Sequence, residues 1–172
     1  MDKTLERSHA KKILRRLAKD LASLGFSKVS DTLHCHQRDY VLEFIAIHKF
    51  SFGPSFRICF GIRVINDNFP QPAINGPCSD SYQWKGQPTH GKYDMRYQAR
   101  EQTIEPCVRH MFEFCKNIGV PWFSRWANEQ DLLTSPESPL KPPQREVLAL
   151  AIAGKANVEH IKVTKHLFKL AV

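Results

Sequence analysis

The stretch Ser55-Phe-Arg-Ile-Cys-Phe-Gly-Ile-Arg-Val-Ile65 decides the fold. Its alternation puts Phe56, Ile58, Phe60, Ile62 and Val64 on one side of an extended chain. Arg57, Cys59, Gly61 and Arg63 fall on the other. A period of two over so many large side chains is a strand with one face in a core, and it does not fit a helical repeat.

Working outward, Asp39 to Phe50 is a second strand, with Tyr40, Leu42, Phe44, Ala46 and His48 on one face. Val41, Glu43, Ile45, Ile47 and Lys49 take the opposite face. The turn Ser51-Phe52-Gly53-Pro54 is too short for a parallel crossover, so the two strands pair antiparallel. Thr32 to His36 adds a short strand, with Leu33 and Cys35 facing away from His34 and His36. Ahead of these, Thr4 to Leu24 is an amphipathic helix whose apolar stripe is Ala10, Ile13, Leu14, Leu17, Leu21 and Leu24. Gly25 stands where a left-handed C-terminal cap is expected. Arg7, Lys11, Lys12, Arg15, Arg16 and Lys19 occupy the remaining faces of this helix.

Downstream, residues 66–92 lose all periodicity among Pro70, Pro72, Pro77 and Pro88 and the glycines Gly76, Gly86 and Gly91. Phe69, Tyr82 and Trp84 indicate that this loop packs on the body. Lys92 to Ala99 supplies a candidate fourth strand. Thr103 opens a helix with the stripe Ile104, Val108, Met111, Phe112, Cys115 and Ile118, which Gly119 and Pro121 are expected to close. Trp122, Phe123 and Trp126 follow as a compact aromatic segment. Thr134 to Pro143 carries four prolines and reads as a semi-rigid linker to two short helices, Gln144–Ala153 and Asn157–Leu170.

These elements predict an α+β fold. An antiparallel sheet of three to four strands is covered by helices, and a C-terminal helical pair follows a Pro-rich linker. The expected organisation is an α+β domain over 1–133, the linker over 134–143 and a helical appendage over 144–172. A chain of 172 residues is long enough for one core and short for two full domains. No apolar run approaches the roughly 20 residues that a membrane helix needs, and the charged start of the chain lacks the apolar segment of a secretory signal. Five cysteines, an odd number without a CxxC pair, point to a reducing, cytoplasmic setting. The net charge of +8 is unevenly placed: residues 1–24 and 141–172 each carry +4, while 25–140 is neutral. Basic ends attract nucleic acid, an anionic surface or an acidic partner, and they also keep a protein soluble.

The order of a basic helix ending in Leu24-Gly25-Phe26, the Leu33–Cys35 strand, and Ile45-Ala46-Ile47-His48-Lys49 leading through Gly53 to Phe56 and Gly61-Ile62 resembles the bacterial domain-of-unknown-function family 4304. The resemblance covers about residues 5–126. The family's "Gln-Lys-Ser" and "Asn-Leu-Gly-Ile" segments are altered here, with His48, Phe50 and Cys59 at the Gln, Ser and Asn positions. The resemblance implies a fold and a bacterial, cytoplasmic origin, and no activity.

Among chemically suggestive groups, His34 and His36 project together as HxH metal pairs do, and His48 or Cys59 on neighbouring strands would have to complete a zinc site. Without committed third and fourth ligands, no metal and no cofactor is expected. Cys107 and Cys115 share a helical face with Met111 and read as core. A restriction-type nuclease centre needs an Asp and a Glu-x-Lys on adjacent strands, yet Ser55–Ile65 holds no acid and Glu43 is followed two residues on by Ile45. Glu43 is expected to pair with Arg57 or Arg63 across the sheet.

The leading reading is a non-enzymatic protein-binding module of accessory or immunity type. Its candidate contact residues are Arg57, Cys59, Arg63, Tyr82 and Trp84, provided that the sheet's second face is open. One alternative is nonspecific nucleic-acid binding through Arg15, Arg16, Lys162 and Lys165 on the terminal helices. A second is an enzyme lined by His34, His36, Glu43 and His48.

Overall fold

The computed structural model describes residues 3–80, 93–98 and 100–170. Helix α1 (Lys3–Ser23) leads into an antiparallel sheet of β1 (Ser27–Ser30), β2 (Leu33–Gln37), β3 (Val41–Lys49) and β4 (Phe56–Val64), in that spatial order. Helix α2 (Ile104–Phe114), a π turn (Cys115–Gly119) and α3 (Val120–Arg125) run on without a break. Helices α4 (Glu129–Thr134), α5 (Pro142–Ile152) and α6 (Val158–Leu167) complete the described chain. Gly25, at φ +87°, makes the left-handed turn out of α1 that its position predicts.

The fourth strand is β1, at the edge opposite to the expected Lys92–Ala99. The segment Ser27-Lys28-Val29-Ser30 holds one apolar residue, too few for alternation to show. Residues 93–98 do alternate, with Tyr93, Met95 and Tyr97 buried, yet they only graze the sheet. Phe56 N–H donates to the Met95 carbonyl at 3.1 Å and Tyr97 N–H to the Pro54 carbonyl at 2.7 Å, around a single Ser55–Arg96 bridge.

The apolar face of β4 lies against α1, α2 and α3 as the alternation requires. Phe60 stacks on Phe114 at 5.3 Å and meets Phe123 edge-on at 5.6 Å. Gly119 makes this possible. A Cβ there would stand 2.6 Å from the Phe60 ring, so the glycine is a notch in the helix. The expected helix end at Gly119 and Pro121 is therefore corrected. Gly119 keeps helical dihedrals, and Pro121 follows directly on the π turn, whose Val120 N–H reaches back to the Cys115 carbonyl.

The second face of the sheet is partly closed by the C-terminal helices. Phe168 packs 5.5 Å from Phe44, in a cluster with Val29, Cys35 and Leu42. Phe44 in turn lies over Gly61, where a Cβ would come within 2.2 Å of its ring. Leu148 of α5 and Leu140 of the proline-rich segment enter the main core, so this segment lies against the body.

Being last in the sheet, β4 has a free edge, and residues 75–79 seal it. Phe60 N–H donates to the Pro77 carbonyl at 3.1 Å, and Gly76 N–H to the Phe60 carbonyl at 3.0 Å. The Asn75 side-chain amide takes both backbone groups of Ile62, and the Ser79 hydroxyl accepts from Ile58 N–H. Cys59 and Cys78 face each other across this ladder and are joined by a disulfide. The spacing did not signal that pairing, and it runs against the reducing setting expected from the cysteine count, since such bonds persist mainly in oxidising compartments.

Two substitutions test the notch. Phe60→Ala should destabilise the protein by about 3–5 kcal/mol. Gly119→Ala, which in an ordinary helix interior would help by about 1 kcal/mol, should instead destabilise. Chemical denaturation reads both, and a stabilising Gly119→Ala would refute the notch.

Candidate functional site

The histidines and Glu43 do not assemble a reactive centre. His34 and His36 project from the helix-covered face, where their strand partners are Ile45 and Glu43. His48 pairs with Arg57 and Ala46 with Cys59, which puts His48 and Cys59 on the other face, out of reach of a shared metal. Among the described residues no group of three or more His, Cys, Asp or Glu side chains could hold an ion. Glu43 does not meet Arg57 or Arg63, because its side chain points to the opposite face. It sits 2.8 Å from Arg38 Nε and 3.2 Å from His36 Nδ1. Arg38 also donates to the carbonyls of Trp126 and Ala127, so Glu43 anchors the end of α3 to the sheet.

His34 is fully buried, and neither ring nitrogen has a hydrogen-bond partner among the described residues. Burial pushes its pKa from 6.5 down to about 4, with the Lys28 charge adding in the same direction. Cys107 and Cys115 are buried, and burial raises both thiols, that of Cys107 to about 12. They remain protonated and unreactive at neutral pH.

A cleft of about 530 Å³ lies beside Asp94, Arg96 and His110. Its polar groups are spent on one another. His110 Nδ1 accepts the Asp94 N–H at 2.7 Å, and Arg96 holds the Asp94 carboxylate through Nε and Nη2, keeping it below the usual carboxylate range.

The residues expected to line an open second face divide. Arg63 is only 2% exposed. Its Nε donates to Thr164 Oγ1 at 2.8 Å, and its other nitrogens donate to the carbonyls of Gln71, Asp67 and Phe69. It is therefore a structural tie between β4, the loop and α6, and it is not a contact residue. Cys59 is buried in the disulfide. Arg57 reaches the surface, paired with Asp80 at 3.0 Å. Tyr82 and Trp84 lie outside the described residues.

Among the described residues, the part of this face that Phe168 does not reach stays uncovered. Leu33, Ala46, His48, Arg57, Pro72 and Ile74 line a cleft of about 370 Å³ there. At its His48 end the rings continue outward, His48 to Phe50 at 5.3 Å and Phe50 to Phe52 at 5.1 Å. Phe52 at the hairpin tip is 86% exposed, and Ile74 across the cleft is 47% exposed. By sequence pattern Phe50 is a strand end and Phe52 a turn residue. Two phenylalanines flanking Ser51 in a turn otherwise built of Gly and Pro were the available signal.

The four candidate nucleic-acid residues do not form one surface. Arg15 and Arg16 are on α1, over the first face, whereas Lys162 and Lys165 are on α6, whose Thr164 bonds to Arg63 on the second. Arg16 is held by Glu105 at 2.8 Å and Lys162 by Glu159 at 2.8 Å. No helix among the described residues is long and apolar enough to cross a membrane. Comparison of the chain with protein-family models, curated proteins and solved structures found no match.

His34 gives the fold a pH dependence of known sign. Its folded pKa lies below the unfolded value, so its neutral form is favourable above about pH 6.5, and stability is lost as pH falls toward 4. The loss should reach about 3 kcal/mol. His34→Leu should remove this component and raise stability at pH 7 by about 1 kcal/mol or more, since two unpartnered nitrogens leave the core. Urea titrations at pH 7 and 4.5 on both proteins measure it, and an unchanged pH difference in the variant would count against the assignment.

Proposed function

We infer that the chain is a non-enzymatic protein-binding module, of accessory or immunity type, which docks a partner protein on the open half of the second sheet face. The observation that carries this reading is the His48–Phe50–Phe52 ladder running from a shallow apolar cleft to a fully presented ring. A phenylalanine left 86% in water at a hairpin tip, touching only Phe50 among the described rings, contributes little to its own fold. Aromatic side chains of this kind, next to an arginine and an aliphatic residue, are what the centre of a protein interface contains. Arg57 and Ile74 supply those neighbours.

The enzyme reading draws less support. Glu43 is engaged by Arg38 and His36, His34 is sealed in the core, and His48 stands on the other face. The fold and the bacterial setting implied by the family 4304 resemblance belong to the same proposal. That resemblance includes the β3–β4 hairpin, where His48 and Phe50 depart from the family pattern at the ladder itself.

The experiment is co-purification followed by reconstitution. A protein recovered with the wild-type chain should bind it directly when both are pure. Phe52→Asp and Ile74→Asp should each weaken that binding at least tenfold, about 1.4 kcal/mol, while costing little thermal stability because Phe52 is 86% exposed and Ile74 about half exposed. Binding that is indifferent to both substitutions would place the interface elsewhere and defeat the proposal.

A further inference from the structure

The charges of α1 are less evenly spread than a helical projection of its sequence suggests. Lys12 is held by Glu101 at 2.9 Å and Arg16 by Glu105 at 2.8 Å, and Glu6 is taken by Lys49. These pairs lie where α1 meets α2, its preceding turn and the end of β3. Arg7, Lys11, Arg15 and Lys19 remain, all exposed, with no ion pair or hydrogen bond among the described residues. They are spaced four apart. Successive members are therefore about 6 Å apart along the helix and about 40° apart around it, giving one gently winding row about 18 Å long. The nearby acid, Asp31, is already held by Lys28 at 2.6 Å, and Lys11 and Arg15 act on it only at a distance.

This arrangement is unfavourable by itself. Each pair of like charges four residues apart costs a few tenths of a kcal/mol, and no acid interrupts the sequence from Arg7 to Lys19. A repeating anion relieves it. The residues beside the cations on this side are Thr4, Ser8, Ala18 and Ala22, which would let a neighbouring chain approach closely. None is aromatic, so unpaired bases would find nothing to stack on, and a protein partner would find no large anchor. The apolar side of α1 is spent on the core, with Ile13, Leu17 and Leu21 fully buried, so apart from Leu5 in its first turn the helix has no apolar face to insert into a lipid layer.

We propose that the row Arg7–Lys11–Arg15–Lys19 binds the phosphate backbone of double-helical nucleic acid without reading its sequence. The site lies across the sheet from the protein-docking face, so both can be occupied at once, and neither assignment depends on the other. It replaces the set Arg15, Arg16, Lys162 and Lys165 with one whose members lie on a single surface.

The test is a salt titration of binding to a mixed-sequence DNA duplex by the full chain. Affinity should fall in the nonspecific range, about 10⁻⁶ to 10⁻⁴ M near physiological salt, and four neutralised phosphates give a log–log slope of about −3 to −4. Replacing Arg7, Lys11, Arg15 and Lys19 together by Ala should weaken binding at least tenfold and bring the slope close to zero. The same four substitutions should hold or raise thermal stability, because alanine is the better helix former and the like charges are gone. Lys11→Glu alone should weaken binding severalfold. A control that removes equal charge at Lys116, Lys155, Lys162 and Lys165 should change binding less than threefold. The proposal is overturned by an equal loss in the control, by a slope unchanged in the α1 variant, by no duplex binding at 50 mM salt, or by binding confined to anionic lipid vesicles or to an acidic protein.

Discussion

The rest of the structure depends on one constraint: the strand with the largest core side chains is the last in its sheet. β4 carries Phe56, Ile58, Phe60, Ile62 and Val64 into the core, and among the described residues only β3 pairs with it as a neighbouring strand. An edge strand this apolar, with its backbone groups unmet, would be a template for aggregation. The chain answers with 75–79 along one stretch and 95–97 along the next. The Asn75 amide stands in for a backbone unit at Ile62, and the Ser79 hydroxyl does the same at Ile58. Residues 75–79 are thus the sheet's missing border, in which Pro77 serves through its carbonyl while Gly76 and Ser79 supply backbone donors.

Much of this was legible where a single periodicity governs. The alternation of Ser55–Ile65 and the stripe from Ala10 to Leu21 each predict burial on their own, and the structure buries those residues. Legibility ended where a residue's role is set by a distant partner. Gly119 has the signature of a helix end and serves as a recess for a ring on another element. Glu43 meets Arg38 and not Arg57 or Arg63, because pairing across a sheet requires a shared face and Arg38 precedes the strand proper. The cover over Phe44 comes from Phe168, more than a hundred positions later, and no local pattern encodes that contact.

The candidate surfaces show the same division. Arg63 has the pattern of a surface cation and is a fully satisfied tie, whereas Phe52 has the pattern of a hairpin residue and is an 86% exposed ring set against Phe50. Charge was equally hard to judge from one helix alone. Only the acids on α2 and the turn before it, brought beside α1 by packing, show which of its cations are neutralised at home and which face outward.

The tie at Arg63 also sets a timetable. Its guanidinium is satisfied partly by Thr164, 101 residues later in the chain, and Leu42 and Phe44 wait for Phe168. During synthesis, at about 5–20 residues per second, the second sheet face stays wet and apolar for on the order of ten seconds after β4 has emerged. Contacts of such long range also slow refolding. The first face closes earlier, as α2, α3 and then Leu140 and Leu148 arrive, so a nascent chain completes its two faces in sequence and the second, under Phe168, comes last.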